Sequence, residues 1–318
     1  MNALIKPKAL KSGGKIGVCS PGWFIAKEKL QLSAEKWRSL GYDIFLHPQT
    51  EERDADMAGD PKNRASALHD LFLDNTIDAI FFSVGGYGCV QMLEFLDFDL
   101  IKKHPKIVVG YSDITILLLA IYAKTGLITF NGPQFYDLPD KFWHPETINS
   151  LQEVLSGKTP SYQLDQFSPA PKVIRSGKAT GPLLGGNHVR MKDLIGTEWM
   201  PRMSDCFFFT ESNRPSYPTI DGDMYHLRYS NSLNNPKAIL LGSMEIVNSD
   251  NPKYNDLQYN LELDTMIPKH FPNIPIVSDL PFSHSRPDFI TFPIGIDFEL
   301  DAQENKCRLT QIEPAVEI

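Results

Sequence analysis

Over the first 130 residues the apolar positions alternate between two patterns. Short β-branched or aromatic bursts, KIGVCS (15–20), YDIFLHP (42–48), IDAIFFS (77–83), KIVVG (106–110) and LITF (127–130), are separated by longer stretches with helical spacing. Those stretches are AKEKLQLSAEKWRSLG (26–41), PKNRASALHDLFLD (61–74), CVQMLEFLD (89–97) and a leucine-rich run from Ile114 to Lys124 that Gly126 closes. Bursts of this length read as buried strands and the intervening runs as helices. Strand and helix in alternation predict a parallel sheet with helices on both faces. In such sheets ligands gather at the carboxyl ends of the strands. The loops SPG (20–22), GGYG (85–88), GYSD (110–113) and NGP (131–133) all fall at that end, so they are expected to share one rim.

From Tyr136 to about Lys178 prolines are frequent and the periodicity weakens, apart from a short helix near ETINSLQEVLSG (146–157). This reads as a linker with a mobile segment. Beyond it come GPLLGGNHVRMKDLIGT (181–197), CFFFTES (206–212), KAILLGSMEIV (237–247), IPIVSDLPFSHS (274–285), DFITFPIGIDFEL (288–300) and KCRLTQI (306–312), a half richer in strands. The expected organisation is an N-terminal α/β domain over 1–140, a linker and mobile segment over 141–177, and a smaller, strand-rich α/β domain over 178–318.

A length of 318 residues accommodates two domains of ordinary size, and 42% apolar with 22% charged residues is normal for a globular protein. The net charge of −8, without a long basic run, argues against nucleic acid as a partner. The apolar run Ile116–Ala123 is far too short to span a bilayer, and the N-terminal stretch has no secretory core. Cys19, Cys89, Cys206 and Cys307 are widely spaced, which suits a reduced, cytoplasmic protein with neither a disulfide framework nor a zinc knuckle. No spacing of His, Asp or Glu suits a metal, and neither a dinucleotide fingerprint nor a P-loop is present, so no cofactor is expected.

The segment KIVVGYSDIT places Ser112 and Asp113 on a tight strand-to-helix turn. Either residue can serve there as a helix N-cap. Ser112 can also be a nucleophile, since such a turn projects its hydroxyl clear of the sheet beside helix N-terminal amides that could meet an oxyanion. A serine nucleophile needs a base, usually histidine, and that base needs a carboxylate. Of the eight histidines, His284 lies in a loop just after the buried-looking run IPIVSDL, where a base belongs. Glu211 ends the very apolar strand CFFFT. The glycine clusters SVGGYG and GPLLGGNH allow close backbone approach, either to a ligand or between packed elements.

Taken in order, RASALHDLFLDNTIDAIFFSVGGYG, LDFDLIKKHPKIVVGYSDIT, YAKTGLITFNGP, GPLLGGNHVRMKDLIGT and LPFSHSRPDFITFPIG resemble the LD-carboxypeptidase family of serine peptidases, from about Lys15 to Gly295. That family includes murein tetrapeptide carboxypeptidases and microcin C self-immunity peptidases. The resemblance implies a flavodoxin-like N-terminal domain joined to a smaller C-terminal one, commonly as a homodimer, with a triad drawn from both domains. Ser112 matches the nucleophile, Glu211 the acid and His284 the base, with the amides of Gly86 and Asp113 as oxyanion hole. Tyr87 and Asn187 are expected to contact substrate. The implied reaction is hydrolysis through an acyl-enzyme of a small amide-linked substrate, either a murein peptide ending in a D-amino acid or an aminoacyl-nucleotide mimic; a binding protein on the same scaffold is the non-catalytic alternative. The chain departs from the family pattern in three places. Ser283 stands where glycine is usual before the histidine, FFFTES replaces a Leu-Glu-Asp ending, and the segment before the glycine cluster lacks the tryptophans of the immunity branch, holding Tyr162 and Phe167 instead.

Overall fold

The computed structural model describes residues 3–139, 141–245 and 256–318. The chain divides into two compact units, the first made of Met1–Lys158, Pro287–Gly295 and Pro314–Ile318, the second of Thr159–Arg286 and Ile296–Glu313.

In the first unit the apolar bursts are strands β1 (Lys15–Cys19), β2 (Asp43–Leu46), β3 (Ala79–Phe82), β4 (Ile107–Gly110) and β5 (Phe130–Asn131). They lie in the order β2-β1-β3-β4-β5, all parallel, and Phe292–Pro293 adds an antiparallel edge beside β5. This is the flavodoxin-like order, and its direction reverses between β1 and β3. β3 and β4 are buried along their whole length, as strands covered on both faces must be. The helices between these strands are α1 (Lys27–Ser39), α2 (Pro61–Leu73), α3 (Phe98–Lys103) and α4 (Thr115–Thr125). Asp60 caps α2 by accepting from the amides of Lys62 and Asn63, and Pro61 occupies the first helical position. Trp37 of α1 is fully buried, stacks on Phe135 at 5.7 Å and donates its indole N–H to that residue's carbonyl at 2.9 Å. The helix expected over 89–97 is instead a 3₁₀ coil over Cys89–Phe95. It starts from Gly88 at a φ of 114° and ends before Asp97, which turns to cap α3.

The second unit is built on an eight-stranded mixed sheet. Its long strand Gly177–Asn187 does two jobs. Residues 177–182 pair antiparallel with Asp297–Gln303, whereas 183–187 pair parallel with Phe207–Glu211. Ala238–Gly242 and Ile276–Leu280 continue the parallel part. Ile246 and Val247, at the end of the run beginning at Lys237, lie outside the described residues. Ser161–Gln163 and Lys172–Arg175 are the two edge strands of this sheet, while the helix Pro145–Leu155 belongs to the first unit. Among the described residues no helix is long and apolar enough to cross a membrane.

Gly185 is the tightest point of the parallel core. At a φ of 152°, a Cβ there would lie 1.8 Å from the carbonyl oxygen of Phe209. Since that atom is ladder backbone and cannot swing aside, Gly185→Ala is expected to destabilise the fold by about 3 kcal/mol. Urea unfolding checks this, and a loss below about 0.5 kcal/mol, the range of ordinary surface changes, would contradict it.

Candidate active site

Each unit gathers polar side chains at the carboxyl ends of its parallel strands. In the first, the rim expected from the sequence is formed. The side-chain amide of Gln134 donates to the Tyr111 carbonyl at 2.9 Å, and the Tyr136 amide donates to the Ser83 carbonyl at 3.0 Å. Trp23 N–H donates to the Gly85 carbonyl at 3.2 Å, and Ser83 shares a hydroxyl–hydroxyl bond of 2.7 Å with Ser20. Buried Arg64 ties the first two loops together, its Nη1 donating to the carbonyls of Pro21 (2.5 Å) and Gly88 (3.1 Å).

Ser112 sits where β4 hands over to α4, in a 3₁₀ turn over Ser112–Ile114. Its φ is 64°, the left-handed region that an L-residue enters only under constraint. The adjoining Asp113 is fully buried and its carboxylate accepts from the Cys89 amide at 2.9 Å, which joins the serine turn to the coil after the glycine loop. That glycine loop lies directly against the serine. A Cβ on Gly85 would come 3.3 Å from Ser112 Cβ and 3.1 Å from the Asp113 nitrogen. Gly86, at a φ of 89°, has its open face covered by the Trp23 indole, within 2.2 Å of where a Cβ would be. Tyr87 is exposed at the loop tip. Trp23 and Arg64 escape a motif search. Their sequence signals are faint, a tryptophan directly after SPG and an arginine inside the apolar pattern of α2.

The second unit brings Glu211, Asn187 and His284 together. Register places Asn187 directly opposite Glu211 at the ends of adjacent parallel strands. The Asn187 side-chain amide donates to Glu211 Oε1 at 3.0 Å. His284 Nδ1 stands 2.6 Å from Glu211 Oε2, and the His284 backbone N–H also points at that oxygen, at 3.3 Å. Glu211 is buried, and burial by itself raises its pKa. The charge of His284 and the hydrogen bonds from His284 and Asn187 outweigh that and hold the carboxyl below its usual range. Nδ1 is thereby committed to the carboxylate, which fixes the orientation of the ring. Gly242 makes room for the pair, since a Cβ there would lie 2.9 Å from Glu211 Cβ and 3.0 Å from the Phe282 carbonyl. Ser283 is buried and its hydroxyl accepts from the Ser285 amide at 3.3 Å, closing the loop that carries His284.

His188 follows Asn187 into the interior and is fully buried, with Thr210 Oγ1 3.4 Å from Nδ1 and Asp223 3.9 Å from Nε2. Burial drives its pKa down to about 4, the Glu211 charge offsetting only part of the effect. An unfolded histidine titrates near pH ~6.5. Unfolding therefore takes up a proton between those two values. Stability is complete above the unfolded pKa and falls as pH drops toward 4, by roughly 3 kcal/mol from this residue. The variant His188→Gln is expected to show a correspondingly flatter loss in urea melts between pH 7 and 4.5. An identical slope in parent and variant would contradict the assignment.

With that geometry in view, the comparisons are specific. A model of the LD-carboxypeptidase N-terminal domain matches residues 16–132, and one of the LD-carboxypeptidase C-terminal domain matches residues 180–300. A Bacillus subtilis protein described as a probable murein peptide carboxypeptidase is 32% identical over 74% of each chain. The microcin C7 self-immunity protein MccF of Escherichia coli is 28% identical, covering 95% of this chain and 94% of its own. The structure of MccF in complex with aspartyl sulfamoyl adenosine superposes with a TM-score of 0.85, spanning 98% of this chain and 100% of that one at 28% identity. The muramoyltetrapeptide carboxypeptidase from Oxalobacter formigenes gives 0.80 at 25% identity, over 93% and 98% of the two chains. Both halves of the sequence match in order, and the chain belongs to the LD-carboxypeptidase family.

Proposed function

We propose that the protein is a serine carboxypeptidase in which Ser112, His284 and Glu211 form a triad. His284 Nε2 takes the Ser112 proton as the hydroxyl oxygen attacks the substrate carbonyl carbon, while Glu211 holds the imidazole through Nδ1 and balances the charge it gains. The backbone amides of Gly86 and Asp113 receive the oxyanion, where losing one such donor costs ~100–1,000-fold in rate. Collapse of that intermediate expels the amine, which leaves with the proton from His284. Water, deprotonated by the same nitrogen, then releases the acyl group from Ser112. The observation that carries this reading is the pair of prepared ends, a serine held at a φ of 64° against a glycine loop, and a histidine held at 2.6 Å by a buried carboxylate.

The substrate proposed first is a murein peptide that loses a terminal D-amino acid, in keeping with the relative described as a murein peptide carboxypeptidase. The higher TM-score to MccF bound to an aminoacyl sulfamoyl nucleoside favours a second reading, cleavage of an aminoacyl-nucleotide mimic. Against it stands the stretch 161–177, whose aromatics are Tyr162 and Phe167, with Tyr162 spent in an edge strand opposite Leu309. Incubation with murein tetrapeptide and with aspartyl sulfamoyl adenosine, followed by mass spectrometry, separates the two. D-alanine release is the expected result, and cleavage of the adenosine compound alone would replace the first reading by the second.

A further inference from the structure

Two buried charged side chains meet one peptide unit at the end of the glycine loop. Arg64 Nη1 donates to the Gly88 carbonyl at 3.1 Å, and the Asp113 carboxylate accepts from the Cys89 amide at 2.9 Å. The carbonyl of residue 88 and the amide of residue 89 belong to the same planar unit. A cation therefore holds its oxygen end and an anion its nitrogen end. Both bonds are of the charge-assisted kind, about twice as strong as neutral ones. Gly88 stands at a φ of 114°, and a Cβ on it would come 2.8 Å from Arg64 Nη1, so the guanidinium occupies the space a side chain would fill.

The same fork has two further anchors. Nη1 also donates to the Pro21 carbonyl at 2.5 Å, and Nη2 to Gln91 Oε1 at 2.7 Å. Gly22, next to Pro21, packs on the glycine loop, where a Cβ would lie 2.4 Å from the Gly85 carbonyl oxygen and 2.8 Å from that of Tyr87. Gly85 in turn lies against the Asp113 nitrogen, 3.1 Å from its own Cβ position. The loop that carries the Gly86 amide is thus gripped at both of its neighbours, and Arg64 is bonded to each grip. Burial disfavours the guanidinium charge, and its Nε finds no acceptor among the described residues. An apolar side chain of the same length would avoid both costs. What it could not supply is position, because one rigid plane fixes three acceptors on two loops.

We infer that Arg64 is a positioning residue for the oxyanion hole, setting the separation of the Gly86 and Asp113 amides by clamping the Gly88–Cys89 peptide against Asp113. The inference rests on the proposed Ser112 chemistry and adds to it a residue that acts without touching the reacting atoms. Asp113 serves both ends of the arrangement. Its amide is one of the two oxyanion donors, and its carboxylate holds the clamped peptide, so a slack clamp changes the distance between the donors.

The test compares Arg64→Lys with the parent. Lysine keeps a positive charge near Asp113 but offers one nitrogen where the fork offers two. A 1 Å misplacement can cost about 100-fold in rate. On whichever of murein tetrapeptide and aspartyl sulfamoyl adenosine the parent cleaves, kcat is expected to fall roughly 10- to 100-fold with KM within about 3-fold. An inhibitor reads the hole itself. The acyl part of that substrate is made as a trifluoromethyl ketone, whose carbonyl carbon bonds to the Ser112 oxygen. The serine proton passes to His284, and the carbonyl oxygen becomes the oxyanion. The ketone's affinity should weaken by the same factor as kcat, whereas binding of the substrate to Ser112→Ala should be unchanged when Arg64→Lys is added. A loss of folded protein alone would leave the ketone's dissociation constant as it was. A kcat within about 3-fold of the parent's, or a fall in kcat at unchanged ketone affinity, overturns the inference. Should Arg64→Lys fail to fold, Arg64→Met combined with Asp113→Asn removes both buried charges and is read by the same two measurements. If the parent cleaves neither substrate and no ketone binds, the Ser112 reading has failed, and amide hydrogen exchange decides the clamp separately. Faster exchange in Arg64→Lys at both 85–89 and 111–115, with an unchanged urea midpoint, upholds the clamp, and exchange unchanged at either segment overturns it.

Discussion

Replacing Ser112 by alanine is expected to lower kcat/KM by about 10⁵-fold on whichever substrate the parent turns over, with the fold intact. The size follows from what is removed. Without the hydroxyl no acyl-enzyme forms, and what remains is the modest rate given by binding and oxyanion stabilisation alone. The fold is spared because alanine keeps the Cβ and inherits the same left-handed backbone at a φ of 64°. A companion variant separates chemistry from strain. Ser112→Gly is expected to be equally inactive yet about 1 kcal/mol more stable than Ser112→Ala, because glycine occupies that region without the steric cost of a Cβ. Turnover assays and urea melts on both variants check the pair of outcomes. Activity within 10-fold of the parent in either would remove Ser112 from the mechanism.

The second large effect is expected at Glu211→Gln, a loss of about 10⁴-fold in kcat. Glutamine matches the shape but not the role. It cannot balance an imidazolium, and its amide can present a donor to the His284 Nδ1–H and the Asn187 amide, both of which are placed as donors to the parent carboxylate at 2.6 and 3.0 Å. The same substitution carries a stability signature. In the parent the folded pKa of Glu211 is depressed, so the stabilisation it provides is present above the unfolded pKa and is lost as pH falls through the folded value. Glu211→Gln lacks that titration, so the parent's advantage over the variant in urea should shrink as pH is lowered from 7 toward 3. A difference that stays constant, or grows, would contradict the assignment of Glu211 as the ionised partner of His284.

The parallel sheet of the first unit was legible because β3 and β4 are apolar on both faces and two of the helices carry their own punctuation, Asp60-Pro61 before α2 and Gly126 after α4. Ser112 could be placed on the turn by the same reasoning, but its left-handed backbone could not, since nothing in the local pattern marks a positive φ at a serine. Phe292–Pro293 joins the first sheet from the far end of the chain, a pairing that local periodicity does not encode. Asn187 reads from the chain as a substrate contact, and its bond to Glu211 is a feature that only the structure adds. The cause is register, because Gly185 and Gly186 let two strands close until residue 187 stands opposite residue 211. His284 and Glu211 lie far apart in sequence, and only the resemblance to a family linked them before the fold was known. Trp23 stayed hidden because a lone aromatic after a Ser-Pro-Gly turn has no period and no partner in the sequence.

The central claim, that Ser112 becomes acylated, is tested most directly by rapid mixing of the protein with murein tetrapeptide, acid quench within the first turnover, and intact-mass measurement followed by peptide mapping. The account predicts an adduct equal to the substrate minus its leaving D-alanine, confined to the peptide that contains Ser112 and absent from Ser112→Ala. Steady release of D-alanine that persists in Ser112→Ala, with no adduct at residue 112 at any time point, would contradict it.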